Sequence, residues 1–124
     1  MNYTLDERMQ LARNISTPVD TLKQLATDEE SIVRQYVANN PSTPGGVLKQ
    51  LADKGGWTRY WVALNPSTPV DCLKQLAVCN DPSIRWCVAL NPSTPGDVLA
   101  QLAEDKCREV SERAQETMEE KKKS

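Results

Sequence analysis

Histidine is absent from the 124 residues. That removes imidazole as a general acid, a base or a metal ligand, and with it every catalytic triad built on histidine. Cysteine is absent from the first 71 residues and occurs only at Cys72, Cys79, Cys87 and Cys107, with no C-x-x-C spacing. The pattern matches no zinc or redox motif, so four reduced thiols packed as small apolar groups are expected. No apolar run approaches the ~18 residues of a membrane span. The opening residues are polar and charged and lack the apolar centre of a signal peptide, so a cytoplasmic location is expected. The net charge of −2 provides no global field for nucleic acid. Glycine is scarce: there is no phosphate-cradling loop, and Gly45-Gly46 opens a helix. No serine sits in a Gly-x-Ser-x-Gly elbow. A non-catalytic chain with no cofactor and no metal is expected.

What the sequence does contain is one phrase used four times. Ser-Thr-Pro occurs at 16–18, 42–44, 67–69 and 93–95, a spacing of 26, 25 and 26 residues. A fixed period of this size signals stacked units rather than one pocketed globule. Downstream of each phrase, Leu22, Leu48, Leu73 and Leu99 align, as do Leu25, Leu51, Leu76 and Leu102, each followed by alanine. Leu-x-x-Leu-Ala is helical spacing with one apolar stripe. Thr17, Thr43, Thr68 and Thr94 read as N-caps, with the following prolines at the first helical position. Asp20, Asp71 and Asp97 stand three residues after the threonine, where a carboxylate suits the helix dipole. Gly46 replaces them in the second unit and predicts a weaker start.

A second helical segment follows in each unit, built on Arg34-Gln35-Tyr36-Val37-Ala38, Arg59-Tyr60-Trp61-Val62-Ala63 and Arg85-Trp86-Cys87-Val88-Ala89, with a partial copy at Arg8–Asn14. With the arginine as position zero, positions −1, +2, +3 and +6 share the apolar face. Asn40, Asn65 and Asn91 are expected to end these helices in the left-handed conformation, and the prolines after them stop continuation. Segments this short are candidates for partial 3₁₀ geometry. The whole chain, 1–124, reads as one all-α domain, an α-solenoid of short helix pairs. Residues 1–15 form a partial N-terminal cap. Units begin near 16, 42, 67 and 93 and run to 103. Residues 104–122 read as one charged capping helix with Glu109–Arg113 and Glu119–Lys123 pairs, and the Lys-rich tail to 124 is expected to fray.

The phrase Val-Arg-x-x-Val-Ala-x-Asn-Pro-Ser-Thr-Pro-x-x-x-Leu-x-x-Leu-Ala, complete from Val33 to Ala52 and slightly varied in the two later units, resembles the leucine-rich repeat variant (LRV) family. The resemblance covers about residues 8–114. It implies a right-handed superhelix of alternating α and 3₁₀ helices. Some members add an N-terminal cysteine cluster holding a [4Fe–4S] centre; the cysteine-free first 71 residues here carry no such role.

Function is expected on the outer side of the second helices. Arg8, Arg34, Arg59 and Arg85 form a ladder, and Met9, Gln35, Tyr60 and Trp86 stand beside it at +1, furthest from the apolar face. Arginine next to exposed tyrosine and tryptophan has the composition of a binding hot spot. The alternative is structural: the arginines tie units together, with Asp20, Asp71 and Asp97 as partners. Tyr36 and Trp61 point to the core, and Trp57 fits either side. The leading expectation is a monomeric scaffold that binds a protein or peptide through Arg34, Arg59, Tyr60, Arg85 and Trp86, with no membrane contact. A nucleic-acid binder using the arginine ladder, and an accessory to a redox or metal enzyme, are the alternatives.

Overall fold

The computed structural model describes residues 2–123. Among them the chain is all-helical, without a strand. Its helices are α1 (Leu5–Arg13), α2 (Val19–Leu25), α3 (Ser31–Asn39), α4 (Gly45–Asp53), α5 (Thr58–Leu64), α6 (Val70–Leu76), α7 (Pro82–Leu90), α8 (Gly96–Leu102) and α9 (Arg108–Lys122). Each odd-numbered helix packs on the next odd-numbered one, from α1 to α9. Each even-numbered helix lies against the odd helices before and after it. The leucine columns fill the space between: Leu22, Leu48, Leu73 and Leu99 are wholly buried, as are Ala12, Ala38, Ala63 and Ala89. The columns read from sequence are therefore the core.

All nine helices are α-helical, so the alternation with 3₁₀ segments is not seen among the described residues. The reason is visible at the start of every even helix. The proline carbonyl accepts an i+4 bond, as in Leu22 N–H to Pro18, Leu48 to Pro44, Leu73 to Pro69 and Leu99 to Pro95. Bonds to i+3 occur at helix ends, as from Thr27 N–H to Gln24, and in the corners between helices, as from Thr43 N–H to Asn40.

The corner phrase works differently from its local reading. The prolines, not the threonines, take the residue flanking each even helix, and no side chain caps these starts. Thr17, Thr43, Thr68 and Thr94 are buried instead, each donating its hydroxyl back six residues to the carbonyls of Leu11, Val37, Val62 and Val88 at 2.6–2.7 Å. Nor do the asparagines adopt the left-handed conformation: Asn40, Asn65 and Asn91 are extended, with φ of −80°, −75° and −66°. Their side chains cap the neighbouring unit. Nδ2 of Asn40 donates to the Ala12 and Asn14 carbonyls, that of Asn65 to Ala38 and Asn40, and that of Asn91 to Ala63 and Asn65, at 2.7–2.9 Å. The last carbonyls of a helix have no partner within it; here the next unit supplies one. Ser42, Ser67 and Ser93 add a second tie, donating to the carbonyls of Ile15, Pro41 and Pro66.

The 25-residue spacing coincides with a close approach. A Cβ on Gly45 would lie 2.8 Å from Pro69 Cγ, whereas one on Gly46 meets nothing within 4 Å. Gly45→Ala is therefore expected to cost about 1–2 kcal/mol through overpacking, while Gly46→Ala gains a few tenths to about 1 kcal/mol from helix propensity. Paired urea titrations check the opposite signs.

The C-terminal end also departs from expectation. Residues 104–107 are a loop and α9 begins at Arg108; it ends at Lys122, where the sequence places its end, with Lys121 Nζ reaching the Thr94 carbonyl at 2.5 Å. Arg113 pairs with Glu116 and Glu120, not Glu109, and Glu119 pairs with Lys122. Ser124 lies outside the described residues.

Candidate functional site

Four connecting loops and the first turns of the odd helices lie along one edge of the molecule, and the surface grooves gather there. One groove of about 560 Å³ runs between the first turns of α3 and α5, lined by Arg34, Gln35, Lys54 and Trp57 together with Asp28 and Glu29. It meets a second of about 260 Å³, lined by Trp57, Arg59, Tyr60, Asp81 and Ser83, at Gly56 and Trp57. A third of about 400 Å³ lies between Tyr60, Trp86 and the start of α9.

Trp57 is the residue that sequence left undecided. It is 75% exposed, the most exposed large apolar side chain among the described residues. Gly55 and Gly56 before it have φ of +76° and +71°, conformations that favour glycine. This turn lifts the indole out of the helix face. The double glycine was the signal available in the sequence.

Tyr60 and Trp86 are not free-standing surface rings. Both are half-buried and pack against the core. Position +1 of an odd helix faces the groove to the next odd helix, because odd helices have like neighbours on both sides. Tyr60 sits edge-on to Trp61, with ring centroids 5.3 Å apart. Its hydroxyl pKa is raised, chiefly by the neighbouring Cys87. Burial pushes the Cys87 thiol up to about 11, so this cysteine is inert at neutral pH. Tyr36 and Trp61 are half-buried against the core as expected, and Arg13 lies over the Tyr36 ring at 5.2 Å.

The arginine ladder divides in two. Arg85 is only 6% exposed, which removes it from the binding face. Its Nε and Nη2 grip Asp105 at 2.8 and 3.1 Å, and Nη1 donates to the Cys79 carbonyl. Arg8 pairs with Asp28 at 2.8 Å. Asp20, Asp71 and Asp97, the partners suggested by sequence, take no part in ion pairs. Arg34 donates to the Asp28 carbonyl but has no carboxylate. The Arg59 side chain makes no hydrogen bond or ion pair among the described residues, and its Nε is sealed from solvent without an acceptor.

The split follows from one column of residues twelve after each Ser-Thr-Pro serine: Asp28, Lys54, Cys79 and Asp105. The outer units carry the carboxylate that neutralises the preceding unit's arginine. The two middle units do not. Arg34, Lys54 and Arg59 therefore flank Trp57 as unpaired cations, which is the most distinctive chemistry of this face.

No group of three or more acidic or cysteine side chains among the described residues is placed to hold a metal ion, and no described helix is long and apolar enough to cross a membrane. Compared with known proteins, the chain matches no family model, no curated protein and no solved structure.

Proposed function

We propose that this chain is a non-catalytic scaffold, a right-handed solenoid of leucine-rich repeat variant type that binds a protein or peptide along the loop edge of its odd helices. The observation that carries the reading is the continuous grooved face centred on Trp57, whose 75% exposure leaves a large apolar ring in water. Rigid helices on either side make this a preformed site, with little ordering to be done on binding. The neutralisation of Arg8 and Arg85 leaves fewer cations for a phosphate backbone than the ladder of four suggests, which favours a protein partner over nucleic acid. A cytoplasmic location suits the four reduced thiols.

Affinity capture from a native lysate tests the reading. The wild-type chain is expected to retain a partner after nuclease treatment. Trp57→Ala is expected to weaken retention about tenfold with unchanged circular dichroism, because its ring packs on little of the core. Tyr60→Ala/Trp86→Ala is expected to weaken retention as well, at some loss of stability. Retention unaffected by both variants refutes this face as the site. Retention that vanishes with nuclease transfers the function to nucleic acid.

A further inference from the structure

We infer that the unpaired arginines of the two middle units, Arg59 above all and Arg34 beside it, hold the carboxylates of an acidic peptide segment of a protein partner. Trp57 covers an apolar side chain of the same segment. The inference rests on the scaffold reading above and names the chemistry of its partner.

The molecule carries its own template for this contact. At Arg85 the guanidinium fork closes on the Asp105 carboxylate through two bonds. At Arg8 the same column supplies Asp28. The fold thus places a carboxylate against this arginine wherever the column provides one, and planar bidentate pairing is the arrangement arginine serves best. At Arg59 the column provides Cys79, and at Arg34 it provides Lys54. Lys54 does more than omit a carboxylate, since it adds a second cation to the Arg34 groove. Asp81 lines the Arg59 groove, but its carboxylate accepts the Ser83 N–H at the start of α7 and makes no ion pair. Glu29 lines the Arg34 groove and makes no ion pair either.

A half-buried guanidinium with no side-chain hydrogen bond or ion pair among the described residues is a group whose pairing potential is unspent. An incoming carboxylate meets the two terminal nitrogens of Arg59, which carry no acceptor and stay open to solvent, whereas its Nε is closed off. Packed helices lie ~8–10 Å apart, and a polyproline II chain turns once in about three residues at ~3.1 Å each, so every third side chain faces the same way. Acidic residues three apart therefore match successive arginines, with an intervening side chain on Trp57. Nucleic acid fits less well: the net charge is −2, and only three cations cluster here.

The probe is a fluorescein-labelled peptide of four Glu-Leu-Ser triplets, with four Gln-Leu-Ser triplets as its control, read by anisotropy. The acidic peptide is expected to bind the wild-type chain at least tenfold more tightly than the control. Arg34→Gln/Arg59→Gln is expected to weaken it by about tenfold or more, as loss of charge-assisted hydrogen bonds does. Arg59→Lys, which keeps the charge and loses the fork, loses part of that. Cys79→Asp supplies the missing column carboxylate internally, so it is expected to weaken peptide binding while raising the melting temperature. A loss of folding would lower that temperature instead. Equal binding of the glutamine control, affinities within twofold across the arginine and Cys79→Asp variants, or binding of a labelled single-stranded oligonucleotide in place of the peptide overturns the inference. Native-partner capture kept by Arg34→Gln/Arg59→Gln but lost by Trp57→Ala overturns it and leaves the scaffold reading standing. Capture unaffected by either refutes both.

Discussion

Asn65→Ala is expected to lower the unfolding free energy by roughly 2–4 kcal/mol, since each buried polar group left unpaired costs ~1–3 kcal/mol. Asn65 is 2% exposed and uses its whole amide. Nδ2 donates to the Ala38 carbonyl at 2.7 Å and to the Asn40 carbonyl at 2.9 Å, while Oδ1 accepts the Ser67 N–H at 2.9 Å. Alanine removes all three. The Asn40 carbonyl retains the Thr43 N–H; the Ala38 carbonyl, in the last turn of α3, loses its tie to the next unit. Asn65→Asp is the sharper test, because it preserves shape and the bond from Ser67. It removes both donors and turns a carboxylate toward two carbonyl oxygens. Asn65→Asp is expected to destabilise more than Asn65→Ala at pH 7 and to recover part of the loss in acid, where the introduced carboxyl is protonated and regains a donor. Urea midpoints at pH 7 and pH 4 decide it. A smaller loss for Asn65→Asp than for Asn65→Ala at pH 7 contradicts the trans-capping role.

That role explains which parts of the molecule were legible in advance. The leucine and alanine columns are set by a period within one helix, and a period can be read from a single chain. Asparagine before proline was misread because local rules assign a helix-terminal asparagine to its own helix. Its true acceptors lie 25–28 residues earlier. Threonine before proline was misread for a related reason: its hydroxyl turns back six residues, not forward into the new helix. The asparagine's acceptors exist only once units stack, whereas the threonine's is in its own corner and is reached by a backward turn of the chain.

The candidate site was legible by half. The four arginines were found by alignment, but alignment alone gave them one role. Their roles differ because residues twenty positions on differ, and Asp28, Lys54, Cys79 and Asp105 acquire meaning only once units are known to stack in register. Tyr60 is more covered than its outer position predicts, and the undecided Trp57 is exposed, for a reason of geometry. Position +1 faces an adjacent helix, whereas the Gly55-Gly56 turn carries Trp57 off the helix altogether.

Breaking the buried Arg85–Asp105 pair should have the second large effect. Asp105→Asn is expected to destabilise by roughly 2–4 kcal/mol at pH 7, in the range for removing one partner of a buried pair. The two side chains are only 8% and 10% exposed. The amide keeps the bond that Asp105 accepts from the Cys107 N–H at 2.8 Å, so the change isolates the charge facing Arg85. The Arg85 hydrogen bonds hold the Asp105 carboxyl below its ordinary value, against the opposing effect of burial. The folded state therefore binds the proton more weakly than the unfolded chain does. The pair's contribution is fully present above the unfolded aspartate pKa of ~3.9 and is lost as pH falls through the lower folded value. Urea midpoints of wild type and Asp105→Asn should differ by a constant amount from pH 7 to about pH 5 and converge on acidification below that. A difference that persists unchanged to pH 2 assigns the loss to packing rather than charge. Arg85→Lys should lose most of the same stability, since lysine cannot span both carboxylate oxygens and the Cys79 carbonyl together. The same pair is what the middle units lack, so the size of this loss sets an upper bound on what a partner's carboxylate can gain at Arg59.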